Sequence, residues 1–211
     1  MNGGLLPVTV PALLGYGGVL VLAFYLGFAA LTRTWPRLRV RPLAYTVVMF
    51  MLFGAAGEEV VNRLWRIAFD APLWEYRLYP IHGGNISLFF FQVWGIFGFY
   101  SYLRDSAFPG FGRAGTALSA LVFGIEAIAL ELAVNLPYHA LFGDFIFYYL
   151  PANLGPFSHY SCLQVIPFYM AIALTTRRLV AVQKQAGYMH LKSTLGFYAM
   201  VMAAYLFPWS Q

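Results

Sequence analysis

The sequence predicts an all-α fold: a polytopic membrane bundle of about six transmembrane helices, built around a duplicated two-helix unit within a single integral membrane domain, 1–211. Composition, the spacing of apolar runs and the placement of charge predict it. Of 211 residues, 61% are hydrophobic, 19% aromatic and only 10% charged, with a mean hydropathy of +0.67. That balance lies far outside ordinary soluble usage.

Apolar runs at 8–31, 43–61, 86–103, 117–136, 160–176 and 195–209 approach or reach the roughly 20 residues a helix needs to cross hydrocarbon. The first run follows MNGGLLPV, which lacks the basic start of a cleavable signal and is expected to stay as a helix. Of the 13 Lys and Arg, 10 fall in three alternate connections: Arg33, Arg37, Arg39 and Arg41; Arg104 and Arg113; Arg177, Arg178, Lys184 and Lys192. The positive-inside rule makes those connections cytoplasmic and both termini non-cytoplasmic, in the inner membrane if the source is a bacterium. The net charge of +5 is then explained by orientation and calls for no nucleic-acid partner.

Seven of the eight acidic residues, all but Asp105, lie in the second and fourth runs or in the outer connections 63–85 and 137–159. Glu126 stands near mid-depth, while Glu58, Glu59 and Glu131 lie closer to the outer boundary. An ionised carboxylate at mid-depth costs roughly 2.5–3.5 kcal/mol on insertion scales. It should face the interior, find donors or hold a proton. Glu126 is therefore the expected proton donor, with Glu58, Glu59 and Glu131 as bases or charge stabilisers.

Helical spacing groups Glu131, Asn135 and His139 on one face, and Glu58 with Asn62 on another. Pro137 is expected to end or bend its helix before His139. Structural roles compete for the same residues: Glu59 and Arg63 are spaced for an ion pair, and Asn62 for hydrogen bonds between helices.

With a drift of 71 to 73 residues, Glu59 aligns with Glu131, Asn62 with Asn135, Pro80 with Pro151, Gly84 with Gly155, Ser87 with Ser158 and Gln92 with Gln164. The repeat covers approximately 45–105 and 117–178. Both units enter from the cytoplasmic side, so the repeat is parallel and its carboxylates should share an outward cavity. Trp74, Tyr76, Tyr79, Phe147, Tyr148 and Tyr149 supply amphipathic rings at headgroup level, as lids or as an aromatic belt. Of these, Trp74, Tyr76 and Tyr148, with Asn62, Asn135 and His139, are the candidate substrate-binding residues.

The layout Glu58-Glu59, Asn62, Trp74-Glu75-Tyr76, Pro80-Ile81-His82-Gly83-Gly84 and then LFFFQVW resembles a small multi-span membrane family known as ABC-transporter type IV-like, over roughly residues 45–176. That resemblance implies a fold rather than an activity. A looser similarity is to the membrane lycopene-cyclase domain, also duplicated and carrying a W-x-Y loop. Where that domain has paired acids, this chain has Asn85-Ile86-Ser87, so proton-initiated cyclisation would need an acid relocated to Glu58, Glu59, Glu126 or Glu131.

Other patterns carry little. Gly110-Phe-Gly112-Arg-Ala-Gly115 follows no strand and is a chance match to a dinucleotide motif. No Walker sequence occurs, neither Lys184 nor Lys192 lies in an apolar run, and the single Cys162 offers no disulfide or metal motif. No cofactor or metal is expected. The leading expectation is an intramembrane enzyme that acts on a lipid-like or isoprenoid substrate by carboxylate acid/base chemistry. The alternatives are a non-catalytic integral subunit binding partner proteins, pigment or quinone, and a transporter or permease component. The expected partners are the bilayer, a hydrophobic small molecule and other membrane proteins.

Overall fold

The structure is a computed structural model that describes residues 6–78, 81–82, 86–87, 89–108, 116–150 and 159–206. Among these residues lie six α-helices: α1 (Val10–Thr32), α2 (Val40–Phe69), α3 (Phe90–Ala107), α4 (Thr116–Phe142), α5 (Ile166–Gln185) and α6 (Leu191–Leu206). A short 3₁₀ turn, Leu163–Val165, leads into α5.

Local signals set the boundaries. Thr9 caps α1 by accepting from the Ala12 N–H, and Arg33 closes it in the left-handed region at φ 53°. Asp70 closes α2 in the same way at φ 56°. The connection between α1 and α2 is tied to α3 by Tyr102, whose hydroxyl accepts from the Arg39 N–H and donates to the Arg37 carbonyl, both at 2.8 Å.

Packing follows sequence neighbours: α2 lies against α3 and α4 against α5, α1 covers α3, and α5 joins the two pairs by contacting α2. The core is aromatic. Phe50, Phe97 and Phe123 are fully buried, and Phe50 meets Phe123 across the junction at a centroid distance of 5.6 Å.

Four segments are long and apolar enough to cross a membrane: Val10–Thr32, Val40–Phe69, Ala117–Phe142 and Leu163–Gln185. The fold is thus that of a helical membrane protein, with fewer qualifying segments than the six expected. Within its 18 residues α3 carries Arg104 and Asp105, and the described part of α6 is only 16 residues long.

Two features depart from the expectation. Four short strands pair two by two, β1 (Trp74–Tyr76) with β4 (Phe147–Tyr149) and β2 (Ile81–His82) with β3 (Ile86–Ser87), both antiparallel. Three residues are too few to impose a readable period of two. Pro137, moreover, does not end α4, which runs on to Phe142. Proline removes one backbone donor from the helix, and the Tyr16 hydroxyl of α1 donates to the neighbouring Val134 carbonyl. The expected matches at Pro80, Gly84, Pro151, Gly155 and Ser158, and Tyr79, Gly83, Asn85 and residues 110–115, lie outside the described residues.

Candidate functional site

The site begins with two asparagines. The Asn62 Oδ1 accepts from the Leu73 N–H at 3.0 Å and its amide donates to the Trp74 carbonyl at 3.2 Å. Asn135 does the same with the Ile146 N–H at 3.0 Å and the Phe147 carbonyl at 2.7 Å. Each side chain supplies hydrogen bonds to a buried backbone segment. These bonds hold a strand beside a helix, and among the described residues neither asparagine bonds Glu58 or Glu131.

The strands they hold pair with each other. Trp74 lies opposite Tyr149, Glu75 opposite Tyr148, and Tyr76 opposite Phe147. Adding 73 to each member of the first strand gives 147, 148 and 149, so the ribbon is symmetric about the central Glu75–Tyr148 pair. Side chains alternate across a strand: Trp74, Tyr76, Phe147 and Tyr149 are buried, and Glu75 and Tyr148 are only half-buried.

The buried tyrosines reach the acids. Tyr76 donates to Glu58 at 2.5 Å, and Tyr149 donates to Glu131 at 2.6 Å. Glu58 and Glu131 are also 73 apart and each stands eleven residues before the end of its helix, at Phe69 and Phe142. In geometry it is thus Glu58 that matches Glu131, whereas Glu59, which the sequence offset aligns with Glu131, pairs with Arg63. Glu58 receives a second bond from the Trp94 indole at 2.6 Å. Glu131 receives two more, from Tyr169 at 2.6 Å and from Ser161.

Both carboxylates are buried, at 4% and 2% exposure. They line one cavity of about 20 Å³ together with the aromatic faces of Trp74, Trp94, Phe168 and Tyr169. That volume suffices for a single water. Among the described residues no Lys, Arg or His lines it. One oxygen, Oε2 of Glu58, is buried with no hydrogen-bond partner among the described residues. The rings fit so closely because Gly54 and Gly57 of α2 lack side chains: an added Cβ would come within 2.1 Å of the Trp94 indole or 2.0 Å of the Phe168 ring.

Burial, reinforced by the adjacent carboxyls, pushes the hydroxyls of Tyr76 and Tyr149 well above the usual phenol range. They remain hydrogen-bond donors throughout physiological pH. Burial likewise pushes the Cys162 thiol up to about 12.

The remaining candidates lie elsewhere. Glu126, the expected proton donor, does not line the cavity; its carboxylate pairs with the buried Arg104 of α3 at 2.6 Å. Asp105, in turn, is 3.4 Å from Arg104 and 3.1 Å from Arg177. Glu59 forms the i, i+4 pair with Arg63 at 3.2 Å. His139 packs its ring on Phe145 with centroids 4.5 Å apart. Tyr148 stacks on His159 at 4.0 Å, with the Arg77 guanidinium 4.0 Å from its ring centroid, so it does not line the cavity.

Sequence reasoning missed Trp94, Tyr149, Ser161 and Tyr169. Only Tyr149 had a legible signal, since the 73-residue offset that joins Asn62 to Asn135 also joins Tyr76 to Tyr149. Among the described residues no cluster of three or more His, Cys, Asp or Glu could hold a metal. Compared with protein-family profiles, with curated proteins and with solved structures, the chain finds no match.

Proposed function

We propose that this chain is a multi-pass membrane enzyme that adds and removes protons on a lipid-like or isoprenoid substrate at the Glu58–Glu131 cavity. The observation that carries the reading is a pair of buried carboxylates facing one aromatic cavity that, among the described residues, no cation lines and in which one carboxylate oxygen has no hydrogen-bond partner. Uncompensated charge in such surroundings is costly, so protons are the natural means of neutralising it. Glu131, which accepts three bonds, suits the fixed carboxylate; Glu58, bare at Oε2, suits the group that carries the proton.

In this reading, Glu58 protonates a substrate double bond and the resulting cation is stabilised by the ring faces of Trp74, Trp94 and Phe168. Glu131 then removes a proton from a neighbouring carbon, and the net result is isomerisation, or cyclisation if a carbon–carbon bond closes first; once the product leaves, a water entering the cavity that both acids line carries the proton from Glu131 back to Glu58. The substrate must displace aromatic side chains, because the cavity at rest holds only a water.

Six passes with both termini non-cytoplasmic would put this cavity in the outer half of the bilayer. The gathering of basic residues supports that orientation: the connection holding Arg37 and Arg39 bonds to Tyr102 of α3, near Arg104, and Arg177 of α5 meets Asp105. The matched geometry of Asn62 with Asn135 supports a duplicated origin.

Native mass spectrometry with lipid extraction would identify the bound molecule, and its turnover would then be followed in Glu58→Gln protein. Loss of turnover in folded protein is the expected result; full turnover removes Glu58 from the chemistry. The water-sized cavity favours a second reading, proton-coupled transport through the same acids. Acidification of proteoliposomes driven by a solute gradient, without chemical change of that solute, would establish it instead.

A further inference from the structure

Three voids follow one another along α3. The outermost is a groove of about 310 Å³ bounded by α1, α2 and α3, with Leu14 and Gly18 on one wall and Val47 and Met51 on the other. Gln92 and Ile96 form part of its floor, and the same two residues line a second, small void of about 10 Å³ beneath. That void is also bounded by Val93, which in turn lines the carboxylate cavity. The side chains of Gln92 and Ile96 thus stand between the groove and the small void, and that of Val93 between the small void and the buried acids.

From this adjacency, in which single α3 side chains separate an open groove from the acids, we infer that the groove is the lateral entrance of the site and holds the hydrocarbon tail of the substrate, with Gln92 as the latch at its inner end. The groove lies at the lower limit of small-molecule pockets, roughly 300–1,000 Å³, which suits one chain. Its lining is apolar except for Gln92. The Gln92 amide does not point idly into the groove, because it donates to the Leu13 carbonyl of α1 at 2.5 Å. Gly17 makes that bond possible, since a Cβ there would sit 2.0 Å from the Gln92 amide nitrogen. At Gly18 the opposite holds: an added Cβ meets nothing within 4 Å and would project into free space.

The inference rests on the acid/base reading only for what happens at the inner end. Its test uses the full chain in phosphatidylcholine nanodiscs and an isoprenol bearing a terminal diazirine, photolysed and mapped by peptide mass spectrometry. Adducts should concentrate on Leu14, Val47 and Met51 relative to Ile67, which is 82% exposed on the distant end of α2. Gly18→Trp should fill the groove and lower the groove adducts about tenfold, a 1.4 kcal/mol effect, while leaving Ile67 labelling unchanged. Gly18→Leu should do so in part.

Equal labelling of groove and Ile67, or no effect of either substitution, overturns the entrance, as does efficient crosslinking of two chains through Gly18→Cys, which would assign the groove to a second copy. Groove labelling that persists in Glu58→Gln protein with full turnover would overturn the acid/base reading and leave the entrance standing.

Discussion

The half of the site around Glu58 and the half around Glu131 share a frame and differ in what fills it. In each, an asparagine four residues after the acid grips the backbone eleven and twelve residues further on, and a tyrosine eighteen residues after the acid donates to it. Beyond the frame the two diverge. Glu58 receives an indole N–H and keeps one oxygen with no partner among the described residues, whereas Glu131 receives hydroxyls from Tyr169 and Ser161 and has a partner on each oxygen. Indole can only donate, while hydroxyls both donate and accept. The comparison teaches that the backbone support of the two acids is matched and their hydrogen-bond surroundings are not.

The largest effect expected from that difference is on stability. Glu131→Leu strands three hydroxyl donors, and Glu58→Leu strands one hydroxyl and one indole; each stranded group costs about 1–3 kcal/mol. Glu131→Leu should therefore destabilise by at least ~3 kcal/mol and by more than Glu58→Leu, as read from denaturant unfolding in micelles. Equal costs would break the proposed asymmetry.

The frame predicts the reverse pattern. Asn62→Ala removes the bonds to the Leu73 N–H and the Trp74 carbonyl, and Asn135→Ala those to the Ile146 N–H and the Phe147 carbonyl, which at about 0.5–1.5 kcal/mol net per bond amounts to ~1–3 kcal/mol. The two should agree within about 1 kcal/mol if the halves are equally supported. A wide gap between them would show that one clamp alone carries the ribbon.

A smaller effect is expected at high pH. Tyr76 and Tyr149 titrate above the usual phenol range in the folded protein, whereas unfolded tyrosine titrates near 10. The stability they confer is therefore complete below about pH 10 and is lost as pH rises through the folded values, because the unfolded chain releases its protons first. Melting temperatures should hold level to about pH 9 and then fall, less steeply in Tyr76→Phe or Tyr149→Phe. The smallest effect concerns Cys162, adjacent to Ser161. Its buried thiol, with a pKa pushed up to about 12, should resist maleimide at neutral pH in folded protein and react only on unfolding.

Much of the frame was legible in the sequence because it is local. Apolar runs gave the helices, and the four-residue spacing of Glu58 with Asn62 and Glu131 with Asn135 put each pair on one helical face. What was not legible is what arrives from far along the chain. Whether Glu58 or Glu59 faces the interior is a matter of about 100° of helix rotation, which only the packing of α3 and α5 decides. Glu126 looked like an isolated buried acid because Arg104, 22 residues earlier, had been assigned to a connection. Tyr148 was preferred to Tyr149 because the phase of a three-residue strand is set by its partner at Trp74–Tyr76. Ser161, Tyr169 and Trp94 are 30, 38 and 36 residues from the acids they serve, beyond any local pattern.

The central rung of the ribbon has a consequence for fidelity during biogenesis. While residues 117–149 are still being synthesised, β1 has an unsatisfied edge, and a neighbouring nascent chain offers the same one. Swapping identical segments in this symmetric register would oppose Glu75 to Glu75, and like charges facing across an antiparallel pair repel. The partner within the chain offers an uncharged Tyr148 instead, so Glu75, which does not line the cavity, would disfavour that mispairing relative to the native one.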